Sequence, residues 1–114
     1  MSSYLDALET RAPGERERDL MLRLPQLIAL AQQAPGWQRI LGDTVAADIS
    51  SRAALAQLPV TRKSDLKNLQ AQALPFGGMT TVAPARMRHL FMSPGPIFDP
   101  EGQGQDWWRF ARPL

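Results

Sequence analysis

One stretch constrains this chain more than any other. Met87 to Met92 is its single convincing β-strand candidate, apolar at Leu90, Phe91 and Met92. A lone strand cannot satisfy its own backbone N–H and C=O groups and needs ladder partners. The run that follows, Ser93 to Gly104, holds three Pro and three Gly in twelve residues and reads as irregular. Beyond it, Asp106 is placed to begin a helix carrying Trp107, Trp108 and Phe110. With Phe91 and Ile97 these residues put large apolar side chains in the last quarter of a 114-residue chain, where no later segment covers them. Each contributes about 1.5–3 kcal/mol when buried. Either the earlier helices wrap round them, or they belong to a core completed from elsewhere.

The earlier part reads as helices. Tyr4, Leu5 and Leu8 form a short apolar face before the break at Ala12-Pro13-Gly14. From Glu15 to Gln33, Leu20, Leu24, Leu27, Ile28 and Ala31 recur at helical spacing and predict a core-facing stripe, with an oligomer interface as the alternative. Pro25 interrupts it, which predicts a kink or two helices, the second starting at Pro25. Ala34-Pro35-Gly36 is a stop signal, and Trp37–Leu41 a short helical turn ending at Gly42. Ser50 or Ser51 is placed to cap a helix through Leu55, and Thr61 to cap another over 62–70. Leu74-Pro75-Phe76-Gly77-Gly78 reads as a loop. The fold expected is mainly α-helical with one or two short strands.

Composition removes several kinds of chemistry. With no Cys there is no disulfide, no thiol nucleophile and no Cys-ligated metal, and His89 alone excludes a multi-His metal site. No metal is expected. No apolar run is long enough to span a bilayer, and Asp6 and Glu9 sit where a signal peptide needs apolar or basic residues. A cytoplasmic location without membrane contact follows as the default. The net charge is +2, and the largest local excess, Arg52, Arg62, Lys63 and Lys67 against Asp65, is too small for a nucleic-acid footprint. His89 has no acid or nucleophile beside it in sequence and reads as a surface or packing histidine. Arg62 and Lys63 read as an exposed first helical turn. Trp107 and Trp108, about 100° apart on a helix, do not form a stacking pair.

Leu58-Pro59-Val60-Thr61-Arg62-Lys63-Ser64-Asp65-Leu66, then Phe76-Gly77-Gly78, then a strand running into Ser93-Pro94-Gly95, occur here in a characteristic order. In that order they resemble the amino-terminal part of phenylacetate–coenzyme A ligases and related adenylate-forming enzymes. Those have a Leu-Pro-(Val/Phe)-Thr-x-Lys-x-Asp-Leu stretch, a Pro-Phe-Gly turn, and a strand entering a phosphate loop rich in Ser, Thr and Gly. Ala34-Pro35-Gly36-Trp37 looks like the family's opening region, so the resemblance covers essentially the whole chain.

The resemblance implies the amino-terminal portion of an α/β adenylate-forming ligase fold. Residues 1–78 would be a helical region and 79–114 the incomplete start of the nucleotide-binding domain. It implies an enzyme that forms an acyl-adenylate from a carboxylic acid and ATP, then transfers the acyl group to coenzyme A. The family's acyl pocket and catalytic groups come later than any residue present here, so the chain is expected to be a truncated piece or one half of a split protein. No catalytic residue is assigned. The partner expected is the rest of such a ligase, or a second copy. In the family's phosphate loop only Ser93 and Gly95 match; Pro94 and Pro96 remove two backbone donors, and no Lys follows Lys67. Neither ATP nor coenzyme A is expected to bind well to this chain.

Overall fold

In the computed structural model, which describes residues 4–110, proline sets where the first helices begin. Helix α1 spans Pro13–Ala31 and helix α2 Pro35–Leu41, each with Pro in its first turn. Proline loses nothing there, because first-turn N–H groups have no intrahelical partner. α1 runs through Pro25 as one 19-residue element, so the division into two helices is not what occurs. Helix α3, Arg52–Leu55, is capped as expected: Ser51 Oγ accepts the Ala54 N–H at 3.1 Å. Helix α4, Lys63–Gln72, is not capped by Thr61, because it starts one residue later than expected and Arg62 takes the cap position. The displaced Thr61 Oγ1 is buried with no hydrogen-bond partner. Among the described residues no helix is long and apolar enough to cross a membrane.

The central core is small. Ile28, Leu41 and Ile49 pack together, with Leu24, Ala31, Trp37, Ala46, Ala54 and Leu58 against them. Of the stripe on α1, the Leu24–Ile28–Ala31 line turns inward while Leu20 and Leu27 stay exposed, so only part of it is core. Tyr4, Leu5 and Leu8 are exposed as well. Arg52 grips Glu17 through Nε and Nη2, at 2.6 and 2.8 Å, joining α3 to α1.

The loop after α4 closes on the start of α2. The Gly36 N–H donates to the Gly78 carbonyl at 2.8 Å. A Cβ on Gly36 would lie 2.6 Å from the Gly77 carbonyl oxygen, so only glycine admits this approach. Phe76, from the same loop, is buried.

Two strands follow, β1 (His89–Ser93) and β2 (Ile97–Glu101), forming an antiparallel hairpin that pairs His89 with Glu101 and Ser93 with Ile97. This corrects two expectations: the strand at 89–93 is not alone, and 93–104 is not wholly irregular. The prolines lie where a ladder tolerates them. Pro94 and Pro96 occupy the turn, and Pro100 stands opposite Leu90, two residues from Phe98. Phe98 turns its N–H and C=O away from β1, as described below; by the alternation of an antiparallel pair, the N–H missing at Pro100 would also have pointed outward. Ile97, expected to lack cover, is buried.

The helix expected from Asp106 is absent. Residues 105–108 form turns, and Asp106 (φ 47°) and Arg109 (φ 58°) adopt left-handed backbone that a right-handed helix does not contain. Pro113 and Leu114, where the sequence stops, lie outside the described residues.

Candidate functional site

Sequence points to the tip of the hairpin. β1 and β2 bring Ser93, the last residue of β1, and Gly95, in the three-residue turn Pro94–Pro96, to one tip. The Ser93 hydroxyl donates to the Ile97 carbonyl across the turn at 3.2 Å. Gly95 adopts φ 132°, which side chains rarely take, and its Cα faces open space. For an incoming anion the turn proper offers the Gly95 N–H, since both flanking prolines have none. A triphosphate needs several converging donors. This donor set does not fit one: one free N–H, and one hydroxyl already spent within the turn.

Lys67 is the lysine that stands near the tip. It lies on α4 and lines a small cavity of about 100 Å³ together with Gln70, Leu74, Pro96 and Phe98. Lys63 and Arg62 are exposed at the start of α4.

The other end of the hairpin holds a pair that sequence reading missed. In sequence no acid stands beside His89, but the hairpin register puts Glu101 directly opposite. His89 Nδ1 and Glu101 Oε2 are 2.6 Å apart, with the imidazole exposed and the carboxylate largely covered. Recognising β2 would have revealed it, since any ladder through a 94–96 turn pairs 89 with 101. At about 3.3 Å per residue, this pair is about 13 Å from Ser93, too far to act on the same atom. Among the described residues no group of three His, Cys, Asp or Glu is arranged to hold a metal ion.

A broad apolar groove of about 780 Å³ opens between the exposed side of α1 and the hairpin region. Leu27, Leu30, Trp37, Met79, Val82 and Trp107 line it, and Arg86 is the charged residue on its wall. The indole of Trp107 lies against Gly102, in the space a Cβ would need. Trp108 meets the Phe91 ring edge-on, centroids 6.2 Å apart. Trp107 and Trp108 remain 48% and 40% exposed, and Phe91 47%. The two indoles thus meet different residues, though both stay half-exposed and no helix sets them apart.

The helical layers and the hairpin match part of an adenylate-forming ligase fold. The particular likeness is to 2-hydroxyisobutyryl-CoA ligase. In its postadenylation state with 2-HIB-AMP the identity is 27% and the TM-score 0.72, over 85% of this chain and 21% of that one. With 2-HIB-AMP and CoA in the thioesterification state the values are 24% and 0.72, over 89% and 25%. With R3-HIB-AMP in the postadenylation state they are 25% and 0.75, over 94% and 25%. The chain therefore spans about a quarter of the length of these ligase structures. No protein-family model matches the sequence, and a search of curated proteins gives no match.

Proposed function

We propose that this chain is the amino-terminal part of an ATP-dependent carboxylate–CoA ligase of the phenylacetate–CoA ligase type, without turnover of its own. In this reading residues 1–78 are its helical region, 79–114 open its nucleotide-binding domain, and its partner is the remainder of a ligase in the cytoplasm. The complete enzyme would join a carboxylate to the α-phosphorus of ATP with loss of pyrophosphate. It would then pass the acyl group to the CoA thiol with loss of AMP. The observation that carries the reading is the likeness of nearly the whole chain to about a quarter of a CoA ligase. The order of Leu58–Leu66, Phe76-Gly77-Gly78 and Ser93 supports the subtype. The poor donor set of the Ser93–Ile97 turn supports the lack of turnover.

Isothermal titration with ATP, paired with an acid-dependent pyrophosphate release assay on aryl and 2-hydroxy acids, tests it. The expected result is no pyrophosphate above background; clear turnover by these 114 residues overturns the reading. A second reading, a stand-alone helical interaction module, is favoured by the half-exposed Phe91, Trp107 and Trp108. Sedimentation combined with thermal melting separates the two. A transition that shifts with protein concentration supports the module, and one independent of concentration supports the ligase piece.

A further inference from the structure

Buried glutamines need both ends of their amide satisfied, and Gln70 has found an unusual partner. It is 6% exposed, on the side of α4 that faces β2. Its Nε2 donates to the Phe98 carbonyl at 2.9 Å, and its Oε1 accepts the Phe98 N–H at 2.8 Å. That is the donor–acceptor pattern one residue of a third antiparallel strand would offer. β2 has two outward-facing positions within its span. Gln70 closes the one at Phe98, and Pro100 has no N–H to offer at the other.

We propose that Gln70 is a latch, a side-chain stand-in for a third strand that holds the β-hairpin, and with it the tip bearing Ser93 and Gly95, against helix α4. The hairpin docks through β2, whose residues are buried or half-buried while four of the five of β1 are exposed, and α4 is the helix on which β2 packs. The two bonds converge on one residue, so they form or break together, and the hairpin has a docked and an undocked arrangement. Undocking bares the Phe98 N–H and C=O as an open sheet edge. Nothing in this depends on a ligand at the tip or on the ligase reading.

The sequence carried a faint mark of it. Gln70 lies four residues after Leu66 and one after Leu69, a polar residue beside the apolar positions of its own helix. What it bonds to, 28 residues later, is visible only in three dimensions.

Amide hydrogen exchange of the full chain, read as protection factors for Phe98, Asp99 and the α1 amides, tests the latch through two substitutions. Gln70→Ala removes it and should lower Phe98 protection by about tenfold or more while α1 is unchanged. Gln70→Glu makes it titratable. A protonated carboxyl reproduces the amide's pattern, its C=O accepting and its O–H donating. A carboxylate accepts only, and would oppose the Phe98 carbonyl. The charged residues of α4 are Lys63, Asp65 and, a turn before Gln70, Lys67; those of β2 are Asp99, next to Phe98, and Glu101, which is paired with His89. Phe98 protection in Gln70→Glu should match the parent at low pH and fall to the Gln70→Ala level as pH rises through the carboxyl's titration. Three results would sink the proposal: unchanged Phe98 protection in Gln70→Ala, a Gln70→Glu chain that tracks Gln70→Ala at every pH, or loss of protection in α1 together with the hairpin.

Discussion

The helical part of the molecule and its hairpin solve opposite halves of the folding problem. Around Ile28, Leu41 and Ile49 the helices bury side chains, and each helix bonds its own backbone except at its ends. The hairpin pairs its facing backbone groups between β1 and β2 and those of Phe98 with the Gln70 amide, yet leaves Phe91, Met92, Trp107 and Trp108 half in water. Backbone bonding on the facing edges of two neighbouring strands is settled between them, and here one distant side chain meets an outward position. Apolar burial needs surfaces from several elements, and here the hairpin presents one face with little set against it.

The sharpest way to test this contrast is to remove side chains of similar character from each region. Ile28→Ala should cost about 2–5 kcal/mol, because it opens a cavity in the one cluster where buried residues meet. Phe91→Ala, on the exposed face of the hairpin, should cost under about 1 kcal/mol. Urea denaturation monitored by circular dichroism measures both, and equal losses would break the comparison. Gly36→Ala probes the seam inside the helical region. Forcing a methyl against the Gly77 carbonyl should cost about 1–3 kcal/mol in the same assay. Ser51→Ala should remove about 1 kcal/mol through the cap bond to the Ala54 N–H.

Thr61→Val runs the other way. Its buried hydroxyl bonds to nothing, so an isosteric methyl should leave the denaturation midpoint unchanged or raise it slightly. The smallest effect belongs to Glu17, whose pKa is lowered chiefly by the hydrogen bond from Arg52, with Arg52 raised in turn. A depressed carboxylate lends stability that is present above its unfolded pKa and fades as pH falls through the folded one. Glu17→Gln should therefore lower the melting temperature slightly near neutral pH and not at low pH, which flattens the acid side of the profile. Because both groups face solvent, the difference should shrink further in 1 M salt.

Much of the helical region could be read before any coordinates existed, and the reasons are local. Ser51 caps α3 and Gly42 follows α2 where the helix was expected to stop, whereas Pro13 and Pro35, read as a break and a stop, in fact open α1 and α2. The misreadings fall where a distant residue decides the outcome. Ile97–Glu101 carries a proline and lies in a Pro- and Gly-rich run, so composition argued against a strand. It became one because β1 supplies the ladder on one side and Gln70 the missing partner on the other. His89 gained its acid for the same reason, from the far end of the opposite strand. At the candidate tip, Ser93 and Gly95 were placed by their order after β1, but the bond that occupies the Ser93 hydroxyl needed the turn's closure to be seen.

What the sequence by itself determined is therefore the helical frame and the chemistry this chain lacks: no thiol, a single imidazole, and two prolines around Gly95 where donors would be needed. Those follow from residue identity and from contacts within a turn or two of chain. Only the tertiary structure decided that the last strand forms, which of the α1 leucines face inward, and that Gln70 closes the sheet edge. Each of those depends on pairing groups far apart in sequence, and no local preference encodes which distant surface will arrive to meet them.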